Sequence, residues 1–282
     1  MINLPMLRQN DREILKDIIQ SKHKPAKTSL LNKYKNILDD YLEYYKNRHS
    51  LEAITADTDI DAEVSKYLND AYKSGKVIDS VKAKITEIMP PAIKEKCPYC
   101  MLSEPGTFDH YLGKGQFPEY SVLSKNLVPC CSKCNSKKGE KFLSANGNRT
   151  FISFYFDELP KSSFLVVELD IDGDVPYIKD MYTSSNKGNN IDEIIKTHFD
   201  ELELFERYKN PMSNKLSLIV TRIAGSKQCR DDIIEVIRNE IAALEKIYGS
   251  SYWECSLYRG VVNNEDVLDY LESISLSDSQ II

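Results

Sequence analysis

Cys97-Pro98-Tyr99-Cys100 and Cys130-Cys131-Ser132-Lys133-Cys134-Asn135-Ser136-Lys137-Lys138-Gly139 decide how this 282-residue chain is read. Cys97 with Cys100 and Cys131 with Cys134 form two C-x-x-C hooks, and four thiolates so paired can close a tetrahedral structural zinc (Zn²⁺) site. Cys130 could substitute in the register, but Cys131 restores the two-residue spacing to Cys134. Thirty residues separate the hooks, against roughly 15–20 in a simple zinc ribbon, so something larger is held between them. The first hook alone also matches a thiol redox pair. That chemistry needs the hook at the start of a helix after a strand, whereas here a helical stretch and Pro90-Pro91 precede it. Seven cysteines, an odd number with four in hooks, favour metal over disulfides and a reducing compartment.

Thr107-Phe108-Asp109-His110-Tyr111-Leu112 alternates as a strand does, and Gly113 to Gly115 break it. Val122-Leu123 through Leu127-Val128 is a second candidate strand, and a Lys-rich helix is expected to start at Ser132. Strand, strand, helix is the organisation this spacing predicts. The order Asp109-His110, Asn126, Cys131-Ser132-Lys133-Cys134-Asn135 and Lys138 resembles that of the HNH endonucleases, over residues 97–143. These are nucleases of the ββα-metal fold, in the subgroup supported by a four-cysteine zinc.

The resemblance implies roles residue by residue. His110 would be the general base and Asp109 a ligand of the catalytic divalent ion. Asn126 would tie the two strands together, and Asn135 would be the second metal ligand. Gly113 stands where the family often has proline, implying a less rigid loop. The chemistry suits the residue types independently of the name. Histidine is a base near neutral pH, and a carboxylate with an amide oxygen is hard ligation fit for Mg²⁺ or Mn²⁺. Lys133, Lys137, Lys138 and Lys141 are placed to meet phosphates near a helix start. Glu119 could approach the ion, although a turn or surface position suits it better.

Outward from this centre the chain is mainly helical. Residues 10–90 carry apolar positions at helical spacing, with Asp59 or Asp61 as a candidate helix cap and Pro90-Pro91 as the stop. Phe151-Ile152-Ser153-Phe154-Tyr155-Phe156 and Phe164-Leu165-Val166-Val167-Glu168-Leu169 read as strands, Asp172-Gly173-Asp174 as a turn, and Tyr177-Ile178 as a further short strand. A polar loop is expected over residues 183–190, then helices from 191 to 273. The predicted fold class is α+β: a mainly helical chain with a central zinc-supported ββα module and a small antiparallel segment after it. Three regions are predicted: 1–90, 91–150 and 151–282. Cys229 and Cys255 read as small core residues, and Tyr41, Tyr44, Tyr45, Trp253 and Tyr258 as packing aromatics rather than base-stacking ones.

The net charge of −6 does not suit a nucleic-acid binder, but its distribution does. Residues 91–150 hold nine Lys/Arg and five Asp/Glu, so this segment is +4 and the remainder −10. No apolar run approaches the roughly 20 residues of a membrane span, and the first residues lack the parts of a secretory signal. A cytoplasmic protein is expected. The expected function is metal-dependent hydrolysis of DNA phosphodiesters. The resemblance further implies an effector of bacterial anti-phage defence, with an ATPase partner as in Septu-type systems or a second copy of the chain. The competing expectation is a non-catalytic zinc module that binds nucleic acid or scaffolds a complex.

Overall fold

The computed structural model describes residues 1–173, 175–184 and 190–277. Asp174 of the expected turn and most of the expected 183–190 loop lie outside the described residues. The chain divides into two compact units, residues 3–158 and residues 159–282 with the first two residues. The boundary expected at 90/91 therefore falls inside one unit. Among the described residues, no helix is long and apolar enough to cross a membrane.

The first unit opens with α1 (Asp11–Gln20), α2 (Ala26–Asn32), α3 (Tyr34–Lys46), α4 (Ala62–Lys73) and α5 (Lys76–Glu87). Their periodic apolar residues form its core: Ile14, Leu15, Ile18, Ile37, Leu68, Val81 and Ile85 are all buried. Asp61 caps α4, its side chain accepting the Val64 N–H at 2.9 Å. Pro90 precedes the short α6 (Pro91–Lys94), so the double proline ends one helix and opens another. β1 (Thr107–His110) and β2 (Leu127–Cys130) then pair antiparallel, with Asp109 opposite Val128 and His110 opposite Leu127. α7 (Ser132–Lys138) follows at once and packs on β1. β2 is shorter than the predicted strand because Ser124 to Asn126 form a 3-10 turn.

The run at 151–156 is not a strand. Phe151 and Phe154 are buried in an irregular turn, where the Asp157 carboxylate accepts the Ser153 N–H at 2.8 Å. Aromatic content raises β-propensity, but a strand also needs a partner edge.

In the second unit β3 (Leu165–Asp172) and β4 (Val175–Thr183) form an antiparallel hairpin. It is followed by α8 (Asn190–Glu201), α9 (Leu204–Ile223), α10 (Arg230–Tyr248), α11 (Trp253–Val262) and α12 (Glu265–Leu276). α11 lies against β3 at Gly260, where a Cβ would come 2.7 Å from the Val167 carbonyl oxygen. Only a glycine permits that approach. Cys255 is buried as expected, but Cys229 is exposed at the N-cap of α10 and is no core residue. Tyr41, Tyr44, Trp253 and Tyr258 are all buried in their own units.

Candidate functional site

The Cys97, Cys100, Cys131 and Cys134 sulfurs lie within 4.8 Å of one another, all on buried residues. Cys100 Sγ and Cys131 Sγ are 3.9 Å apart, close to the ~3.8 Å edge of a tetrahedron built on zinc–sulfur bonds of about 2.3 Å. In the first hook the Cys97 carbonyl accepts the N–H groups of Cys100 and Met101, at 3.2 and 2.7 Å. Met101 takes a left-handed φ of 53° to complete that turn. In the second hook Cys131 is the N-cap of α7, and its sulfur accepts the Cys134 N–H. These four residues can hold a structural metal such as zinc.

Cys130 lies outside the group, on β2 opposite Thr107, with its sulfur 3.4 Å from Thr107 Oγ1. Burial pushes its thiol up to about 12. Hydrogen bonds from Cys100, Cys134 and Cys97 hold Cys131 well below the ordinary thiol range. The register through Cys131 is the one that gathers the cluster.

β1 presents two faces with different partners, as strand alternation requires. Thr107 and Asp109 project towards α7. Asn135 donates its amide to Thr107 Oγ1 at 3.1 Å. One turn further along α7, Lys138 Nζ lies 3.1 Å from both carboxylate oxygens of Asp109 and donates to the His110 carbonyl at 2.8 Å. Tyr99 Oη donates to Asp109 Oδ2 at 2.7 Å. Asp109 is 2% exposed and Lys138 1%. Burial raises the Asp109 pKa, while Lys138 and Tyr99 act against that rise.

Lys138 is thus committed to a buried ion pair and not exposed at the surface. Asp109, expected as a metal ligand, carries its ammonium, and Asn135, expected as the second ligand, is turned to Thr107. Lys133 and Lys141 are exposed, and Lys137 is half-buried.

His110 projects to the opposite face of β1. Its Nε2 lies 2.9 Å from the Ser121 carbonyl oxygen. A carbonyl only accepts, so Nε2 carries the hydrogen and Nδ1 keeps its lone pair. Burial, opposed by the Ser121 bond and assisted by the Lys114, Lys138 and Lys82 charges, lowers the His110 pKa to about 3. The imidazole is therefore neutral at physiological pH. The ring is 6% exposed.

Residues that the sequence reading missed surround this histidine. Tyr72 of α4 stacks edge-on at 4.2 Å between centroids and donates its hydroxyl to the Phe108 carbonyl. Lys82 of α5 stands 3.9 Å above the Tyr72 ring, and Lys114 lies 5.9 Å from it. Ser121 is held in turn by Asn69, which accepts from its hydroxyl at 3.0 Å. The signal available for Tyr72 and Lys82 was only helical spacing, which cannot say what a helix packs against.

Asn126 is fully buried and closes the loop between the strands. Its Oδ1 accepts the Leu112 N–H at 2.8 Å, and its Nδ2 donates to the Leu112 and Tyr120 carbonyls. Gly113 packs so tightly on Glu140 that a Cβ would come 3.0 Å from the Glu140 Cα. The Glu140 carboxylate also accepts the Gly115 N–H at 2.9 Å, fastening this loop to the residues after α7. Glu119 is a turn residue, but it is 0% exposed rather than at the surface. One of its oxygens accepts the Asp57 N–H, and the other has no hydrogen-bond partner among the described residues.

No family model matches the chain, and no solved structure matches it. The chain is similar to Protein ea31 of Escherichia phage lambda, at 24% identity over 201 residues. The aligned stretch covers 61% of this chain and 63% of the phage protein, so less than two thirds of that relative's length is spanned.

Proposed function

We propose that the chain is an HNH-type endonuclease of the ββα fold, hydrolysing phosphodiester bonds in DNA with His110 as general base. The observation that carries this reading is geometric: His110 Nε2 is pinned by the Ser121 carbonyl at 2.9 Å, which leaves Nδ1 as the lone-pair nitrogen. Lys82 and Lys114, gathered around Tyr72 beside the ring, supply positive charge where a phosphate would approach. In the reaction a water oxygen bonds to phosphorus and its proton passes to Nδ1. The bond from phosphorus to O3′ breaks, and O3′ takes a proton from solvent, leaving a 5′-phosphate and a 3′-hydroxyl. The cysteine cluster, coordinatively closed when metallated, holds the hooks and takes no part in this step. One such site cuts one strand, so a double-strand break takes two copies or two events.

A second reading, a non-catalytic zinc module, is favoured by one observation: Asp109 is neutralised by Lys138 in a buried pair. Cleavage separates the two. Zinc-loaded full-length protein is incubated with supercoiled plasmid, single-stranded DNA and RNA, with and without Mg²⁺ or Mn²⁺, beside His110→Ala. The nuclease reading expects nicking that His110→Ala reduces at least a hundredfold, within the range of a lost general base. Equal conversion by both proteins, or none by either, overturns it.

A further inference from the structure

We infer that the Lys138 ammonium is the resident cation of this site and fills the seat beside Asp109 that a divalent ion would otherwise take. The inference deepens the nuclease reading and rests on it only for its catalytic meaning; the occupancy claim stands on geometry alone.

Three observations carry it. First, Lys138 Nζ is equidistant from the two Asp109 oxygens at 3.1 Å and also takes the His110 carbonyl at 2.8 Å. Asp109 Oδ1, the His110 carbonyl and, at 3.5 Å, the Gly139 carbonyl accept from the ammonium, which matches its three donors, with Asp109 Oδ2 completing the ion pair. Second, the placement is set by the elements and not by a flexible surface side chain. Asn135 and Lys138 are three apart on α7 and so share a face. Thr107 and Asp109 are two apart on β1 and so share theirs. The result is two parallel rungs, Asn135 to Thr107 and Lys138 to Asp109. Third, the pair is sealed: Lys138 is 1% exposed and its Nζ lies 5.8 Å from the Phe151 ring centroid.

A small hard ion such as Mg²⁺ on Asp109 must meet a carboxylate oxygen at about 2.0–2.1 Å. It cannot share that carboxylate with an ammonium already bridging both oxygens, and the two cations would repel strongly at that range. Binding of such an ion therefore requires Lys138 to leave a buried position.

The test is direct binding of Mn²⁺, read by electron paramagnetic resonance on full-length zinc-loaded protein in buffer freed of other divalent ions. Wild type is expected to bind no Mn²⁺ at Asp109 at millimolar ion. Lys138→Met, with folding checked by circular dichroism and zinc content, is expected to gain about one Mn²⁺ per chain. The Asp109→Asn/Lys138→Met double variant is expected to lose it again. A wild-type Mn²⁺ site abolished by Asp109→Asn overturns the inference, as does a folded Lys138→Met chain that gains no ion. Should Lys138→Met fail to fold, paramagnetic broadening of the Tyr99 ring signals by Mn²⁺ in wild type decides: broadening overturns the inference, its absence supports it.

Cleavage measured in parallel keeps the two readings apart. His110-dependent cutting without added divalent ion supports both. Cutting that needs Mg²⁺, with Mn²⁺ found at Asp109, overturns this inference and leaves the nuclease. No cutting under any condition, with wild type free of Mn²⁺, overturns the nuclease and leaves Lys138 in its seat.

Discussion

Lys138 and Asp109 illustrate how strongly a buried pair depends on both members. Removing the ammonium alone strands a carboxylate that is 2% exposed. Lys138→Ala is expected to destabilise the protein by about 3–5 kcal/mol, measured by urea unfolding, while Asp109→Asn combined with Lys138→Met recovers most of that loss. Glu119 makes a pH-dependent prediction. Burial raises its pKa from 4.5 to about 7, against its backbone hydrogen bonds, with Asp57 adding to the rise. The folded state therefore keeps a proton that the unfolded chain releases. The stability this group contributes is complete below pH 4.5 and is lost as pH rises through about 7. Glu119→Gln is expected to flatten that slope in denaturation series run between these pH values. Asp40, also raised to about 7 by burial and by Asp57 and Glu119, leaves a residual slope. At this scale the four clustered cysteines were legible because their spacing alone encodes the hooks. Lys138 was not: a lysine in a polar, Lys-rich helix reads as solvent-facing until the phase of that helix against a strand is known.

The strands and helix between and after the hooks were legible from turn residues and alternation, but their lengths were not. The 3-10 turn at Ser124 to Asn126 shortens β2 because Asn126 spends its side chain on Leu112 and Tyr120. The aromatic run at 151–156 misled for the opposite reason, since propensity was present and a pairing edge was not. The loop after His110 depends on a contact no sequence pattern displays, Gly113 against the Glu140 backbone. Gly113→Ala is expected to cost about 1–3 kcal/mol through overpacking, read as a lowered urea midpoint with unchanged slope. Chelation of the metal should loosen the hooks, β1, β2 and α7 ahead of the hairpin and helices of the second unit. Hydrogen exchange is the measurement: protection lost over 97–138 with α9 to α12 intact is the expected result, and uniform loss contradicts it.

For the whole molecule, residues 3–158 form one compact unit and are expected to unfold cooperatively and retain about one zinc when expressed alone. A fragment that stays unfolded with zinc present contradicts this. The sequence suggested a break at Pro90-Pro91 because prolines interrupt helices, yet interrupting a helix does not divide a core. Tyr44 of α3 donates to the Lys125 carbonyl at 3.1 Å, and Tyr72, with Lys82 over its ring, stacks edge-on against His110. The charge split between 91–150 and the rest therefore does not mark a structural border. That has a bearing on anyone who would graft the motif elsewhere. A transplant spanning only the cysteine hooks and what lies between them would carry the four sulfurs along, but it would leave behind the tyrosine and lysine that dress the imidazole, and the histidine would arrive undressed.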